Sequence, residues 1–146
     1  MKWLKGVMAF GLAVVITAVA GAVVHSQFIV ANMAEMGHPV ALGDRIAWTG
    51  HDIVGMFSTY APIIALAFVL AFPIAAHVSR RLNRLRTFGY TLAGAAAIVC
   101  ALLVMKQMLD ISGVAGARTA LGIAAQGLAG ALGGWLFALT SRARTA

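Results

Sequence analysis

The sequence predicts an all-α integral membrane protein: a four-helix transmembrane bundle with one long, partly helical outer loop. Three observations carry this expectation. The 146-residue chain is 62% hydrophobic and 10% charged, with a mean hydropathy of +0.93, which leaves too little polar surface to coat a soluble domain. Its apolar residues gather into four runs, each long enough for a helix that crosses the hydrocarbon core, about 20 residues. The charges between those runs are sorted by sign.

The spans are expected near residues 3–24, 53–77, 86–109 and 117–140. The first has the basic start and the small residues (Ala18-Val19-Ala20) of a secretory signal, but its apolar run is longer than a signal's, so it reads as a span. The outer loop 25–52 is mixed in composition. Residues 27–36 either continue the first span as helix or lie along the interface. Gly37-His38-Pro39 is a break, because a proline disfavours helical geometry in the residue before it. Asp44 is placed to cap a new helix that runs into the second span. Pro62 and Pro73 each remove an intrahelical bond from that span and predict a kink. The basic loop at 79–86 and the outer loop at 110–116 are short, which makes consecutive spans antiparallel neighbours. The expected organisation is a single four-span domain over 1–146. Spans one–two and three–four differ in length, loop and charge, so an inverted-repeat transporter is not indicated.

Of eleven Lys/Arg, those at Lys2, Lys5, Arg80, Arg81, Arg84, Arg86, Arg142 and Arg144 fall on one side; the acidic residues Glu35, Asp44, Asp52 and Asp110 fall on the other. Short loops rich in Lys/Arg stay in the cytoplasm, so both termini are expected there. The net charge of +7 then sets topology and attracts anionic lipid heads, and argues against a nucleic-acid partner. The one cysteine, Cys100, lies within span three, which excludes an internal disulfide and a two-cysteine redox mechanism. Neither Asn32 nor Asn83 begins a glycosylation sequon, which fits a bacterial inner membrane.

Small residues recur every fourth position: Ala67, Ala71 and Ala75 in span two, Gly89, Ala93, Ala97 and Ala101 in span three, and Gly122, Gly130, Gly134 and Ala138 in span four, interrupted by Gln126. Such faces let helix backbones approach closely in lipid. Packing inside the bundle is the first reading; a homo-oligomer or larger membrane complex is the second. Gln126, deep in an apolar run, is expected to hydrogen-bond a neighbouring helix, with a substrate contact as the alternative.

The outer side gathers the unusual side chains. The candidate polar site comprises His25, His38, Asp44, Trp48, His51, Asp52, Asp110 and Arg118, with Arg118 expected beside Asp52 or Asp110. If residues 44–55 are helical, Asp44, Trp48, His51, Asp52 and Gly55 share one face. A metal is one reading: His25 and His51 with Asp52, His38 or Glu35 offer imidazole and carboxylate, which suit Zn, Cu, Ni or Fe, although no HxH, HExxH or CxxC spacing is present. A haem between His25 and His51 is conceivable only near the outer surface; His77 stands 26 residues from His51, about 39 Å along a helix. Catalysis would use His25 or His51 as base, yet the adjacent Ser26 diverges from His25 on a helix. The third reading is structural: ion pairs, caps and interfacial anchors.

Mid-membrane acids and bases, which a proton- or cation-coupled transporter needs, are missing from the spans. There is no thiol pair of the kind a quinone-linked disulfide enzyme uses, and no glutamate in span one as in small multidrug exporters. The expectation is a non-catalytic scaffold or accessory subunit that packs through small-residue faces and presents its outer loop to lipid or a partner. The alternative is a ligand-, metal- or haem-binding or enzymatic site centred on His25, His51 and Asp52. No particular cofactor is implied.

Overall fold

Four antiparallel helices close into a ring. A computed structural model describes residues 2–38, 40–81, 85–109 and 119–141. Helix α1 runs Lys2–Glu35, α2 Leu42–Arg81, α3 Arg86–Leu109 and α4 Ala120–Thr140. All four are long and apolar enough to cross a membrane, and the chain is an integral membrane protein with an all-α four-helix architecture. Each helix packs on its sequence neighbours, and α1 packs on α4 to complete the ring. Helices α2 and α4 therefore face each other diagonally.

The helices are unequal. α3 and α4 have 24 and 21 residues, a close match to a hydrocarbon core about 30 Å thick at about 1.5 Å per residue. α1 and α2 have 34 and 40 residues, or about 51 and 60 Å by the same rise. The surplus lies at the end opposite the Lys/Arg-rich helix starts and stops, called the outer end here. Residues 27–35 continue α1, and α2 begins at Leu42 rather than near 53. Hydropathy marks where a chain enters hydrocarbon, whereas a helix continues for as long as its backbone bonds and its neighbour sustain it. The outer connection is thus mostly a helical hairpin.

Its turn is built from local chemistry. The His38 amide donates to the Met33 carbonyl at 3.0 Å and the Gly37 amide to Ala34 at 3.1 Å. Gly37 has φ +84°, the left-handed geometry that glycine adopts without cost, and together these form a Schellman stop. At the start of α2 the Arg45 amide donates to the Ala41 carbonyl at 3.0 Å. Ala41, not Asp44, supplies the first helical carbonyl; Asp44 sits inside the first turn, where a carboxylate complements the helix dipole. α2 then runs through Pro62 and Pro73, both on its exposed side. Helix α4 starts at Ala120 with Thr119 as its cap, the hydroxyl accepting from the Gly122 amide at 3.0 Å.

Two packing layers hold the ring together. Toward the basic end, Phe72 of α2 stacks on Phe137 of α4 across the diagonal, ring centroids 4.5 Å apart, and on Phe68 at 4.5 Å. Tyr90 of α3 and Phe10 of α1 approach it edge-on at 5.5 and 6.2 Å. All four helices therefore meet at one aromatic ring, in the offset and edge geometries that the ring quadrupoles favour. Beside that layer, α3 and α4 touch backbone to backbone. A Cβ on Gly94 would run into the Gly130 carbonyl, one on Gly130 into the Gly94 carbonyl, and one on Gly134 into the Tyr90 carbonyl. Only glycine permits this approach.

Candidate functional site

Gln126 lies at the centre of the bundle, fully buried. Its Oε1 accepts from the Tyr60 hydroxyl at 3.0 Å, and its Nε2 donates to the Gly21 carbonyl at 2.9 Å. One amide thus ties α4 to α1 and, across the diagonal, to α2. Gly21 makes room for it: a Cβ there would stand 2.6 Å from Tyr60 Cε1 and 2.8 Å from Gln126 Oε1. Its polarity within an apolar run marks Gln126 in the sequence as an interhelical donor or acceptor; nothing in the sequence marks Tyr60 as its partner.

The glycines around Gln126 divide between neighbours. Gly130 and Gly134 face α3, while Gly133 faces α1, where a Cβ would strike Thr17 Oγ1. Gly122 is buried in the first turn of α4. Thr17 is itself fully buried, and its hydroxyl has no hydrogen-bond partner among the described residues. Neither Thr17 nor Gly133 breaks the apolar or small-residue pattern enough to be noticed in sequence.

At the outer end of the spans a second polar contact joins α1 to α2. Ser26, 1% exposed, donates its hydroxyl to Asp52 Oδ2 at 2.5 Å. The neighbouring His25 is also buried, and Asp52 lies within electrostatic range of its imidazole. The proton arrangement is that of a serine held by a carboxylate. In a nucleophilic triad the serine would instead give its proton to the imidazole.

The other candidate residues disperse. Asp44, Trp48, His51 and Gly55 point away from the bundle, and His38 is exposed in the turn. The side of α2 turned toward α1 carries Arg45, Thr49, Asp52 and Ile53 instead, all half-buried. The periodic face through Asp44 is therefore the outward face, with Asp52 at its margin. His25 and His51 sit in different surroundings, one buried and one exposed. Among the described residues, no three His, Cys, Asp or Glu are grouped to hold a metal ion. Asp110 and Arg118 lie outside the described residues, and so does their expected pairing.

The basic end has its own polar closure. Arg86 Nη2 donates to Ser141 Oγ at 2.8 Å and Nη1 to the Ala138 carbonyl at 3.4 Å, and its guanidinium lies 5.4 Å from the Tyr90 ring centroid. A cation at a helix C-terminus meets free carbonyls and the negative end of the dipole.

No family model, curated protein or solved structure matches this chain.

Proposed function

We propose that this protein is a non-catalytic scaffold or accessory subunit of the bacterial inner membrane, with both termini cytoplasmic and the α1–α2 hairpin outside, where it docks a second membrane protein. The observation that carries this reading is the overhang of the hairpin together with what it exposes. Beyond the Ser26–Asp52 contact the two helices continue for roughly 14 Å at about 1.5 Å per residue. That extension presents Met36, Leu42, Ile46 and Trp48 with 68%, 74%, 67% and 42% of their surfaces open. Leu42 and Ile46 open beside the groove that Gln27 of α1 also lines, Trp48 opens on the outward face, and large apolar groups left open beyond the ends of α3 and α4 mark surface that another molecule covers.

The interior supports the same reading. The Gln126 amide is spent on Tyr60 and Gly21, and the Ser26 hydroxyl on Asp52. These are bonds between helices. The closest glycine contacts are made inside the chain, Gly94, Gly130 and Gly134 between α3 and α4 and Gly133 against α1. Association with a partner therefore falls to the hairpin rather than to those faces. The sorted basic residues favour cytoplasmic termini by the positive-inside rule.

Purification in a mild detergent tests the role. A companion membrane protein should co-purify in fixed ratio, and the double variant Leu42→Glu/Ile46→Glu should release it while leaving the thermal midpoint of the bundle unchanged. A protein that purifies alone, with a hairpin indifferent to those charges, would remove the basis for a scaffold.

A further inference from the structure

Toward the basic end, α1 and α2 part to leave a groove of about 520 Å³. Gly6, Val7 and Phe10 form one wall; Val69, Pro73 and Ala76 form the other; Phe68, Phe72, Tyr90 and Phe137 make the floor. We propose that this groove is a binding site for one acyl chain of an anionic phospholipid, the headgroup resting at the Lys/Arg-rich end.

Four features single out this occupant. The groove lies within the membrane-crossing parts of α1 and α2, where there is no water to fill it. Val7 and Val69 on its rim are 55% and 54% exposed, so it opens sideways into the acyl chains. Its floor is rigid: Phe68, Phe72 and Tyr90 are buried and locked to one another by ring contacts. Its volume falls in the range of small-molecule pockets, roughly 300–1,000 Å³, which is room for one acyl chain laid along the open side. Charge then selects the headgroup. Lys5 is exposed and adjoins Gly6, α2 ends in Arg80 and Arg81, and Arg86 begins α3. Among the described residues, the acidic Glu35, Asp44 and Asp52 all belong to the opposite end. Basic residues beside the headgroup layer attract anionic lipid. The site is independent of the outer hairpin and of any partner docked there.

Two glycines provide a matched test. Gly6 lines the groove and Gly11 does not, and a Cβ at either would meet nothing within 4 Å. Gly6→Phe should fill the groove without disturbing the bundle, and Gly11→Phe should project into lipid as a control. The full chain would be purified from membranes and its retained phospholipid measured by native mass spectrometry. Unsubstituted protein and Gly11→Phe should each hold one anionic phospholipid, and Gly6→Phe should lose it at least tenfold. Photolabelling of unsubstituted protein in phosphatidylglycerol bilayers with a diazirine-bearing acyl chain gives a readout that needs no variant. Adducts should concentrate on Val7, Phe10, Val69 and Pro73, and Lys5→Glu should weaken the preference for phosphatidylglycerol over phosphatidylethanolamine. Equal retention by the two glycine variants, labelling spread evenly over the helices, or equal retention of a neutral phospholipid would overturn the proposal.

Discussion

Tyr60 and Gln126 meet across the diagonal of the ring, the phenol donating to the amide oxygen at 3.0 Å in a layer closed to lipid and water. The same amide holds the Gly21 carbonyl at 2.9 Å. Three helices are registered by one side chain, and a slip of any one would leave a polar group unpaired in hydrocarbon.

Gln126→Leu should therefore destabilise the bundle by about 1–3 kcal/mol, since it orphans the Tyr60 hydroxyl as well as removing two bonds. Tyr60→Phe alone should cost less, and the double variant should recover part of the loss. Unfolding of the purified protein in a detergent series supplies the double-mutant cycle. Strict additivity would mean that the two side chains are not coupled.

Gly130→Leu should be more damaging than any change at Gly11. A Cβ on Gly130 already meets the Gly94 carbonyl and Ile98, whereas one on Gly11 meets nothing. Backbone cannot yield as a side chain can, so even Gly130→Ala should cost about 1–3 kcal/mol. Thermal midpoints of Gly130→Ala, Gly130→Leu and Gly11→Ala give the comparison. Equal midpoints would separate α3 from α4 at this contact.

Ser26→Ala should cost about 1 kcal/mol by freeing a half-buried carboxylate from its donor. Asp52→Asn should cost less, because the amide oxygen still accepts. The same unfolding assay orders the two. If Asp52→Asn is the more harmful, the charge of Asp52 matters more than its hydrogen bond with Ser26.

The span content of the fold was legible because apolar run length is itself the physical requirement for crossing a bilayer. The starts of helices were less so: α2 begins at Leu42, where the Ala41 carbonyl takes the first bond, and no hydropathy change marks that point. Gln126 stood out as a polar residue in an apolar run, but Tyr60 and Gly21 are its partners only because α2 lies diagonally opposite α4. On α3, fourth-residue spacing picked out Gly89, Ala93, Ala97 and Ala101. The buried face is Tyr90, Gly94, Ala97, Ile98 and Leu102, turned by about one residue, since large side chains pack as well as small ones do. On α2 the spacing through Asp44, Trp48 and His51 was real, yet spacing alone does not say which way a polar face points.

Both termini are expected in the cytoplasm. Fluorescent reporters fused to each should mature, and a reporter active only after export should work when inserted at Gly37. An exported terminus would reverse the bundle and place the hairpin inside the cell.

A photo-crosslinking residue placed at Trp48 in otherwise unaltered protein, and activated in intact membranes, tests the docking role most directly. Trp48 is exposed on the overhanging part of α2, so the crosslinker samples whatever covers the hairpin. A discrete adduct with one second membrane protein, absent when the crosslinker is moved to lipid-facing Leu70, is the predicted result. Adducts with lipid alone, or an identical pattern from positions 48 and 70, would contradict a scaffold that works through its outer hairpin.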